Sequence, residues 1–303
     1  MHAVVAWLTA RLAVHEAVTL TVQDPDTRPE AWPGERNEAG EPHRDWRVWL
    51  DLADGVAAHL ATPRPDPDEP HALRLTFRAR GGEADLHDPS RPHGERYAAS
   101  SAFAQLDKTD HPGFLLPLLD AVRFAAPQPP DRVLIVGCFD GDELAALTHP
   151  PLAWSPTRMV GVDRDARALQ RAMERFPAAT FLHADLAQLE DRPLDVGRFD
   201  LILAIGVLNS PSLDGARTLA HLVRNHAHAS GGVIVGLPAS RLLDGAVVWG
   251  ARTRNYRETD LSLVVRDLAG HRRYLHQHGY RTRITGRYDL LLTGRRDAPD
   301  DGA

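Results

Sequence analysis

Residues 131–147 read Asp-Arg-Val-Leu-Ile-Val-Gly-Cys-Phe-Asp-Gly-Asp-Glu-Leu-Ala-Ala-Leu, and this stretch decides the fold. Val133 to Val136 is a continuous apolar run of strand length, which is typical of a strand buried on both faces. Gly137 and Gly141 then bracket a short loop, and a helix capped by Asp142 is predicted to follow. Such a turn can cradle a nucleotide-like ligand, because backbone N–H groups point into it and glycine lets the ligand approach closely. Alone the pattern is weak evidence, since many α/β proteins have such a turn.

The segments that follow the glycine loop alternate between short apolar runs and helical patterns. Two of the apolar runs end in an acid, and the fourth strand opens into a second glycine loop at Gly206. Strands that alternate with helices predict a parallel sheet with both faces covered and right-handed crossovers. The further strands are predicted within 158–163, 180–186, 198–209 and 233–237, and the helices over 166–176, with Leu169, Ala172 and Met173 inward, and over 213–228, ended by Ser230-Gly-Gly232.

Two aspartates stand where this sheet would bind a ligand. Asp163 ends the second strand, 26 residues after Gly137, and Asp185 ends the third. Open parallel sheets bind ligands beyond the carboxyl ends of their strands, and an acid after the second strand can accept both hydroxyls of a ribose. Asp185, one strand further on, suits a contact with the exocyclic amine of an adenine. Each acid alone would more often cap a strand end, but together with the glycine loop they indicate a nucleoside site.

The first 80 residues predict a small α+β unit without a catalytic constellation. The alternation of apolar and polar residues predicts two half-buried strands, and apolar residues at helical spacing predict a helix between them with Asp45 as its N-cap. Three tryptophans of this unit are expected in the core or at an interface, with a stacking platform for a substrate as the alternative. The strands are 15–22 and 72–79, the helix is 45–60, and the tryptophans are Trp32, Trp46 and Trp49.

The segment between this unit and the glycine loop contains the only lysine of the chain. Gly81 to Pro92 is rich in turn residues and predicts a linker, which is followed by helices over 94–106 and 113–124. Between these helices stands Lys108, against 34 arginines in the whole chain. Lysine offers a compact ammonium that arginine cannot mimic, so Lys108 is a candidate for a contact on the substrate side. Chance survival at an exposed helix end is the alternative.

The C-terminal part of the chain predicts the closing elements of the sheet. A helix over 261–278 ends at Gly279, and 281–285 and 288–293 form a hairpin. The stretch 239–260, which contains Tyr256, is predicted to be an insertion over the substrate side. The predicted organisation is therefore a small N-terminal α+β domain at 1–80, a linker and helix at 81–111, the main α/β domain at 112–297 with the insertion at 239–260, and a disordered tail at 298–303.

Composition bounds the class of protein. Apolar residues make up 43% of the 303 residues, which supports a large core. No apolar run approaches the roughly 20 residues that a membrane helix needs. The first apolar segment lacks a basic lead-in and is interrupted by Arg11, so a secretory signal is not expected. The single cysteine, Cys138, excludes an intramolecular disulfide framework and a cysteine-rich zinc site. We therefore expect a cytoplasmic protein without a membrane partner.

Charge is distributed unevenly along the chain. Residues 1–100 contain 11 Arg and 17 Asp plus Glu, whereas 249–296 contain 11 Arg against four acids. An acidic front does not hold nucleic acid by charge, but the arginine-rich tail could bind something anionic. A helix and hairpin whose arginines are solvated on one face is the interpretation that we favour for the tail.

The glycine loop, the two acids and the fourth strand resemble the class I S-adenosylmethionine-dependent methyltransferases of a bacterial branch. The resemblance covers about residues 95–296 and rests on Val-Leu-Ile-Val-Gly-Cys-Phe-Asp-Gly, Val-Gly-Val-Asp163, His-Ala-Asp185-Leu and Phe199-Asp-Leu-Ile-Leu-Ala-Ile-Gly-Val-Leu. It implies a Rossmann-like, mainly parallel seven-stranded sheet with helices on both faces and a C-terminal antiparallel hairpin, here preceded by the small α+β domain. It also implies S-adenosylmethionine as the cofactor, in contact with Gly137, Cys138, Phe139, Gly141, Asp163, Arg164, Asp185, Leu186 and Ile205.

Two positions depart from the pattern of this family. An acid often stands two residues before the first loop glycine, where this chain has Ile135, and the middle loop position is often glycine, where it has Phe139. These departures leave room for a non-catalytic cofactor-binding scaffold. A nicotinamide dehydrogenase fits less well, because Gly-x-Gly-x-x-Gly cannot be written over Gly-Cys-Phe-Asp-Gly-Asp.

The reaction that the resemblance implies needs little general acid–base catalysis from the protein. Methyl transfer from a sulfonium is an in-line displacement with a good leaving group, so it needs alignment and exclusion of water. The catalytic candidates are accordingly weak, Asn209 and Tyr256, and Lys108 and Tyr256 are the candidates for substrate contacts. No metal is predicted, because the 16 histidines show no ligand spacing, and the last-helix histidines His271, His276 and His278 are expected at the surface.

The methyl acceptor is expected to be a small molecule. No added nucleic-acid module is visible and the front of the chain is acidic, which disfavours a nucleic-acid partner. The loop after strand four also lacks the Asp/Asn-Pro-Pro-aromatic motif that accompanies amino-methylation of a nucleic-acid base. An RNA or protein methyltransferase that uses the arginine-rich C-terminal region is the alternative.

Overall fold

The computed structural model describes residues 1–81, 101–189, 192–210, 212–243, 246–249 and 261–296, with the backbone alone at 241–243 and 246–249. The chain forms two compact units. One consists of Met1–Asp85 and Leu242–Val248, and the other of Leu86–Arg241 and Trp249–Ala303. The finer domain boundaries derived from the sequence, including the insertion and the tail, stay a prediction.

The first unit contains a small antiparallel sheet with two helices. Strand β4 is its centre, because β1, β2 and β3 all pair with β4. Its core is built around Phe77 and Leu75, which are fully buried, together with Leu8 and Trp49. The elements are α1 (His2–Leu12), β1 (Ala17–Gln23), α2 (Trp46–Gly55), β2 (Ala58–Leu60), β3 (Arg64–Pro65) and β4 (Ala72–Ala79).

Local sequence signals predict β1, β4 and the start of α2, but α1 was not predicted, and the helix expected over 45–60 ends at Gly55 because 58–60 pair with β4 as β2. Asp45 caps α2 as expected, and its carboxylate accepts a hydrogen bond from the Val48 amide at 2.9 Å. Trp49 lies in the core and Trp46 packs against it. Trp32 does not belong to the core, because 78% of its surface is exposed. A tryptophan in a Pro- and Gly-rich loop has no regular element to bury it, so its predicted place at an interface is untested.

The second unit is built on a seven-stranded sheet of order β12-β13-β9-β8-β5-β6-β7. The strands β5 to β9 are parallel, and β13 runs antiparallel to both of its neighbours. This arrangement confirms the predicted mainly parallel sheet with a closing antiparallel hairpin. The strands are β5 (Val133–Val136), β6 (Met159–Asp163), β7 (Thr180–His183), β8 (Phe199–Ile205), β9 (Ala227–Pro238), β12 (Arg281–Gly286) and β13 (Asp289–Arg295). Strands β10 (Ser240–Leu243) and β11 (Ala246–Trp249) pair in a separate two-stranded sheet, of which Leu242–Val248 belongs to the first unit.

Helices cover both faces of this sheet, as alternating strands and helices require. One buried cluster joins α3, α4 and α5 to the sheet, and another joins α6 and α7 to its other face. The continuous apolar strand β5 is buried at all four residues, which explains its lack of alternation. The helices are α3 (Pro112–Ala125), α4 (Asp142–Thr148), α5 (Ala166–Arg175), α6 (Gly215–His226) and α7 (Ser262–Gln277). Among the helices of the described residues, none combines the length and apolar character that crossing a bilayer requires.

Three sequence predictions about these elements are wrong. Met173 was expected inward on α5 but is 46% exposed. Ser230 to Gly232 was expected to end α6, but the helix ends at His226 and these residues lie inside β9. Gly232 allows β9 and the end of α3 to pack closely, because a Cβ at this position would lie 2.5 Å from the Ala125 carbonyl oxygen. Of the helix predicted over 94–106, only 101–106 lies within the described residues, and it forms a 3-10 turn.

The order of the strands creates a switch point between β5 and β8. From β5 the chain proceeds through β6 and β7 on one side, and then crosses to β8 and β9 on the other. The carboxyl ends of β5, β6 and β8 therefore meet at one edge, where open parallel sheets bind their ligands.

Candidate functional site

The turn after β5 has the backbone conformation that its glycines permit. Gly137, Phe139 and Gly141 all have positive φ angles, of +68°, +46° and +100°. A Cβ on Gly137 would lie 2.9 Å from the Cβ and Cγ2 atoms of Val207. The turn after β5 and the loop after β8 therefore approach each other more closely than any other residue type at position 137 would allow.

Backbone amides of this turn already donate hydrogen bonds within the protein. The prediction that their N–H groups point freely towards a ligand is therefore wrong for these amides. The Gly137 and Cys138 amides donate to the Val162 carbonyl at 2.7 and 3.2 Å, and the Gly141 amide donates to the Cys138 carbonyl at 2.8 Å. Gly141 is also the N-cap of α4, so Asp142 is the first helical residue and not the cap. The turn offers a fixed shape at these positions and no free donors.

Asp163 links the turn to the end of β6. One of its carboxylate oxygens accepts from the Phe139 amide at 2.9 Å, and the other accepts from the Asp165 amide at 2.8 Å. Asp165 in turn caps α5 by accepting from the Arg167 and Ala168 amides. The carboxylate of Asp163 therefore faces the glycine turn and is half-buried beside it.

The remaining predicted cofactor contacts follow the neighbouring strands. Asp185 is half-buried after β7 and accepts from the Ala187 amide, and Leu186 beside it is buried. Ile205 is buried at the end of β8. Arg164 reaches from the end of β6 to the Ser212 hydroxyl at 3.0 Å, so this contact crosses the end of β5, which lies between β6 and β8.

Cys138 is buried and belongs to the packing of the sheet. A Cβ built on Gly161 would lie 2.9 Å from the Sγ of Cys138, so the thiol fills the space beside that glycine. Burial raises the pKa of the Cys138 thiol well above its usual value, and the Asp163 carboxylate adds to the shift. Cys138 therefore stays a neutral thiol, and only its backbone can face a ligand.

An ion cluster beside the turn was not anticipated from the sequence. Arg175 from α5 lies 3.2 Å from the Asp142 carboxylate and 3.4 Å from that of Asp140, and it also donates to the Asp140 carbonyl at 3.0 Å. Asp107 contacts the same guanidinium at 3.9 Å. Burial and the neighbouring Asp142 raise the pKa of Asp140, while Arg175 and Arg171 lower it. The spacing of Arg171 and Arg175, one turn apart on α5, was the signal available in the sequence.

Lys108 lies against the first turn of α4, next to the glycine turn. Its ammonium is 3.7 Å from a carboxylate oxygen of Glu143 and its side chain is 37% exposed. Its amide donates to Asp142 at 3.2 Å. Glu143 is 3% exposed, and its Oε1 has no hydrogen-bond partner among the described residues. The lone lysine is therefore the counter-ion of a buried carboxylate, which makes chance survival at an exposed helix end a poor explanation.

The pKa shifts around Lys108 reflect burial opposed by charge. Burial raises the pKa of Glu143, and Lys108 opposes the shift. Burial likewise raises the pKa of Asp289, again opposed by Lys108. Burial acts to lower the pKa of Lys108, but four nearby carboxylates, led by Glu143 and Asp289, outweigh it and the pKa is raised. Lys108 therefore carries its positive charge throughout the neutral range.

The other predicted residues are less informative. Asn209 is exposed in the loop after β8, and Tyr256 lies outside the described residues. His271 was expected at the surface but is 5% exposed, because it faces the sheet side of α7, and burial lowers its pKa. Within the part of the chain that the structure describes, no three His, Cys, Asp or Glu side chains come together as metal ligands.

No protein-family model matches this chain, and no curated protein matches it. Solved structures are similar to it at low identity. The N-methyltransferase NodS from Bradyrhizobium japonicum, in complex with S-adenosyl-L-homocysteine, is 18% identical, with 63% of this chain and 91% of that chain covered and a TM-score of 0.42. A TehB-like SAM-dependent methyltransferase from Corynebacterium glutamicum is 22% identical, with 68% and 98% covered and a TM-score of 0.42.

Magnesium protoporphyrin IX methyltransferase from Synechocystis, with bound SAM, is 19% identical, with 70% of this chain and 95% of that chain covered and a TM-score of 0.42. At these identities and TM-scores, the fold assignment rests on the order and direction of the strands and not on the similarity.

Proposed function

We propose that the protein is an S-adenosylmethionine-dependent methyltransferase that acts on a small molecule by in-line methyl transfer. The observation that carries the proposal is the carboxylate of Asp163, fixed at the carboxyl end of β6 and bonded to the glycine turn. It lies beside the switch point of the sheet, where an open parallel sheet binds a nucleoside.

Asp163 has the capacity that a ribose requires. An ionised carboxylate offers about four lone-pair positions, and backbone amides use two of those on Asp163. The remaining positions can accept two vicinal hydroxyls. Asp185 is in a similar state, because only the Ala187 amide bonds to one of its oxygens among the described residues, and the other oxygen suits an exocyclic amine.

The other proposed contacts complete the cleft. Gly137 and Gly141 shape the turn, and Cys138 contributes its backbone. Leu186 and Ile205 supply apolar surface at the ends of the neighbouring strands. Phe139 and Arg164 are the remaining proposed contacts. The residues present fit the cofactor by their chemistry, since acids face a fixed turn at the expected edge of the sheet.

The bound cofactor would supply a methyl group on a sulfonium, which leaves readily. The chain's part is to orient and to exclude water. Lys108 and Tyr256 are the proposed contacts to the methyl acceptor, and Asn209 is the candidate in the loop after β8. Because Lys108 is charged and more than a third exposed beside the turn, it can hold an anionic group of an acceptor there.

Two described arginines of the C-terminal hairpin lie away from the proposed cofactor cleft, and only Arg287 stands at the hairpin tip, on the carboxyl-end side of the sheet. Arg281 begins β12 and Arg295 ends β13, and these two residues pair with each other across the hairpin. Both lie at the edge of the sheet opposite to Asp163, because β13 is antiparallel to β9. A small-molecule acceptor therefore remains the proposal.

Calorimetry with S-adenosylmethionine and S-adenosylhomocysteine tests the cofactor assignment. Asp163→Asn should weaken binding by about 1–3 kcal/mol, because a charge-assisted contact to the ribose is lost. Asp165→Asn is the matched control, since asparagine still caps α5 and this residue does not face the turn. Equal affinities in the wild type and Asp163→Asn would overturn the proposal.

A methyl-transfer screen with labelled cofactor separates the catalytic from the scaffold interpretation. Metabolites, RNA and proteins are offered as acceptors to the wild type and to Asp163→Asn. Transfer to a metabolite that the variant loses supports the proposal. Tight cofactor binding without transfer to any acceptor would favour the non-catalytic scaffold instead.

A further inference from the structure

A cavity of about 420 Å³ opens at the amino ends of β8 and β9, at the edge of the sheet opposite to the Gly137 turn. Basic side chains from separate elements converge on it, and among the described residues no acidic side chain lines it. These side chains are Arg198 before β8, Arg224 in α6, His228 in β9, His278 after α7 and Arg296 after β13.

Backbone carbonyls hold one edge of each guanidinium in place. Arg198 donates from Nη1 to the Ala227 carbonyl at 2.6 Å, and Arg296 donates from Nε to the His278 carbonyl at 2.9 Å. Arg224 uses its Nε on a carbonyl one helical turn back, at 3.2 Å. In the part of the chain that the structure describes, none of the three pairs with a carboxylate, and each has its Nη2 without a protein partner. Arg198 therefore leaves Nε and Nη2 for a ligand and Arg224 leaves both Nη atoms. Arg296 leaves Nη2 alone, because its Nη1 contacts the His228 and Ala229 carbonyls at 3.5 Å.

Capping of helix ends does not account for this much positive charge. The C-termini of α6 and α7 lie here, and each helix end carries an equivalent of about −0.5 charge. Two helix ends offset about one of the three guanidiniums, so roughly two positive charges are left in the cavity before the histidines are counted. Arg198 and Arg224 are exposed and Arg296 is half-buried, so this excess of positive charge is open to an anion from solvent.

We propose that this cavity binds the phosphate group of a small phosphorylated molecule, of the sugar or nucleoside monophosphate class. A phosphate monoester carries about −1.5 to −2 charge near neutral pH and three acceptor oxygens, which matches the residual charge and the donors that the three arginines leave. A volume of about 420 Å³ exceeds that needed by a lone ion and falls in the range of small-molecule sites. The site lies away from the proposed cofactor cleft, so the proposal does not depend on methyl transfer.

Titration calorimetry with ribose 5-phosphate at constant ionic strength tests the site in the full-length protein. The variant is Arg224→Gln, because Arg224 is exposed and its hydrogen bond stays within α6. The matched control is Arg273→Gln, an exposed arginine of α7 that does not line the cavity. We expect Arg224→Gln to weaken binding at least tenfold, or about 1.4 kcal/mol, and Arg273→Gln to leave it unchanged. Inorganic phosphate should displace the sugar phosphate.

Three results would overturn the proposal. The first is no binding of ribose 5-phosphate at concentrations on the order of 10 mM. The second is an equal effect of the two substitutions on its affinity, and the third is failure of inorganic phosphate to compete with it. Single-stranded RNA is titrated in parallel. RNA binding that Arg224→Gln abolishes, without binding of the sugar phosphate, would assign the cavity to a nucleic-acid surface instead. Unchanged unfolding midpoints of both variants show that the comparison concerns binding and not folding.

Discussion

Replacing Gly137 by alanine tests whether the two loops at the switch point meet as closely as the structure shows. Alanine at a φ of +68° costs about 1–2 kcal/mol, because its Cβ crowds the following carbonyl. The same Cβ would stand 2.9 Å from the Cβ of Val207, an atom fixed to the backbone, and such overpacking adds about 1–3 kcal/mol. Gly137→Ala should therefore lower the free energy of unfolding of this unit by about 2–5 kcal/mol.

Gly206→Ala separates the two contributions. Gly206 has nearly the same φ, +70°, but a Cβ there would meet no atom within 4 Å. Replacing glycine by alanine also lowers the conformational entropy of the unfolded chain, which stabilises both variants equally and cancels when their free energies of unfolding are compared. Gly206→Ala should cost about 1–2 kcal/mol, and the difference between the two variants measures the contact with Val207.

Hydrogen exchange of the β5 amides, followed by mass spectrometry, reports the stability of this unit separately from the first. Adding Val207→Ala to Gly137→Ala removes Cγ1 and Cγ2 but leaves the Cβ contact, so it should recover only part of the loss, with a coupling above about 0.5 kcal/mol. If Gly137→Ala costs no more than Gly206→Ala, the close approach of the two loops is refuted.

Two carboxylates with opposite pKa shifts give opposite dependences of stability on pH. Burial raises the pKa of Glu143, so the native state holds this proton more tightly than the unfolded chain, and stability falls as pH rises from about 4.5 through the folded pKa. Glu143→Gln should remove that fall and raise the urea midpoint at pH 7, and a lower midpoint there would contradict the assignment. In the first unit, the Asp68 amide and the Thr21 hydroxyl lower the pKa of Asp66 from 3.8 to about 2, so its contribution is present above pH 3.8 and lost as pH falls towards 2. Asp66→Asn should flatten the acid limb of unfolding followed by tryptophan fluorescence, since four of the six tryptophans lie within residues 1–80, and an unchanged limb would count against the assignment.

The strands of the main sheet could be predicted because their signals are local. A run such as Val133–Val136 is apolar at every position since both faces of its sheet are covered, and this requirement leaves its mark within four residues. Asp163 was likewise visible as an acid at the end of an apolar run. The structure adds that its carboxylate faces the glycine turn.

The ion cluster at the turn could not be derived in the same way, because its partners lie far apart along the chain. Arg175 is 35 residues from the Asp140 carbonyl that it bonds, and its spacing from Arg171 shows only that the two share a face of α5, not which carboxylates they meet. The bonds from the turn amides to Val162 depend on the pairing of β5 with β6, which is a property of the folded sheet. The early start of β9 was missed because Gly232, an apparent stop signal, is needed for the approach of α3.

The inward-bonded amides of the Gly137 turn have a consequence for how a guest molecule enters. A segment whose backbone donors already have partners has few alternative conformations to lose, so a ligand would bind there to a preorganised surface at a small entropic cost. The arrival of a ligand would then leave the exchange rates of these amides almost unaltered, while the side chains at the rim take up the adjustment.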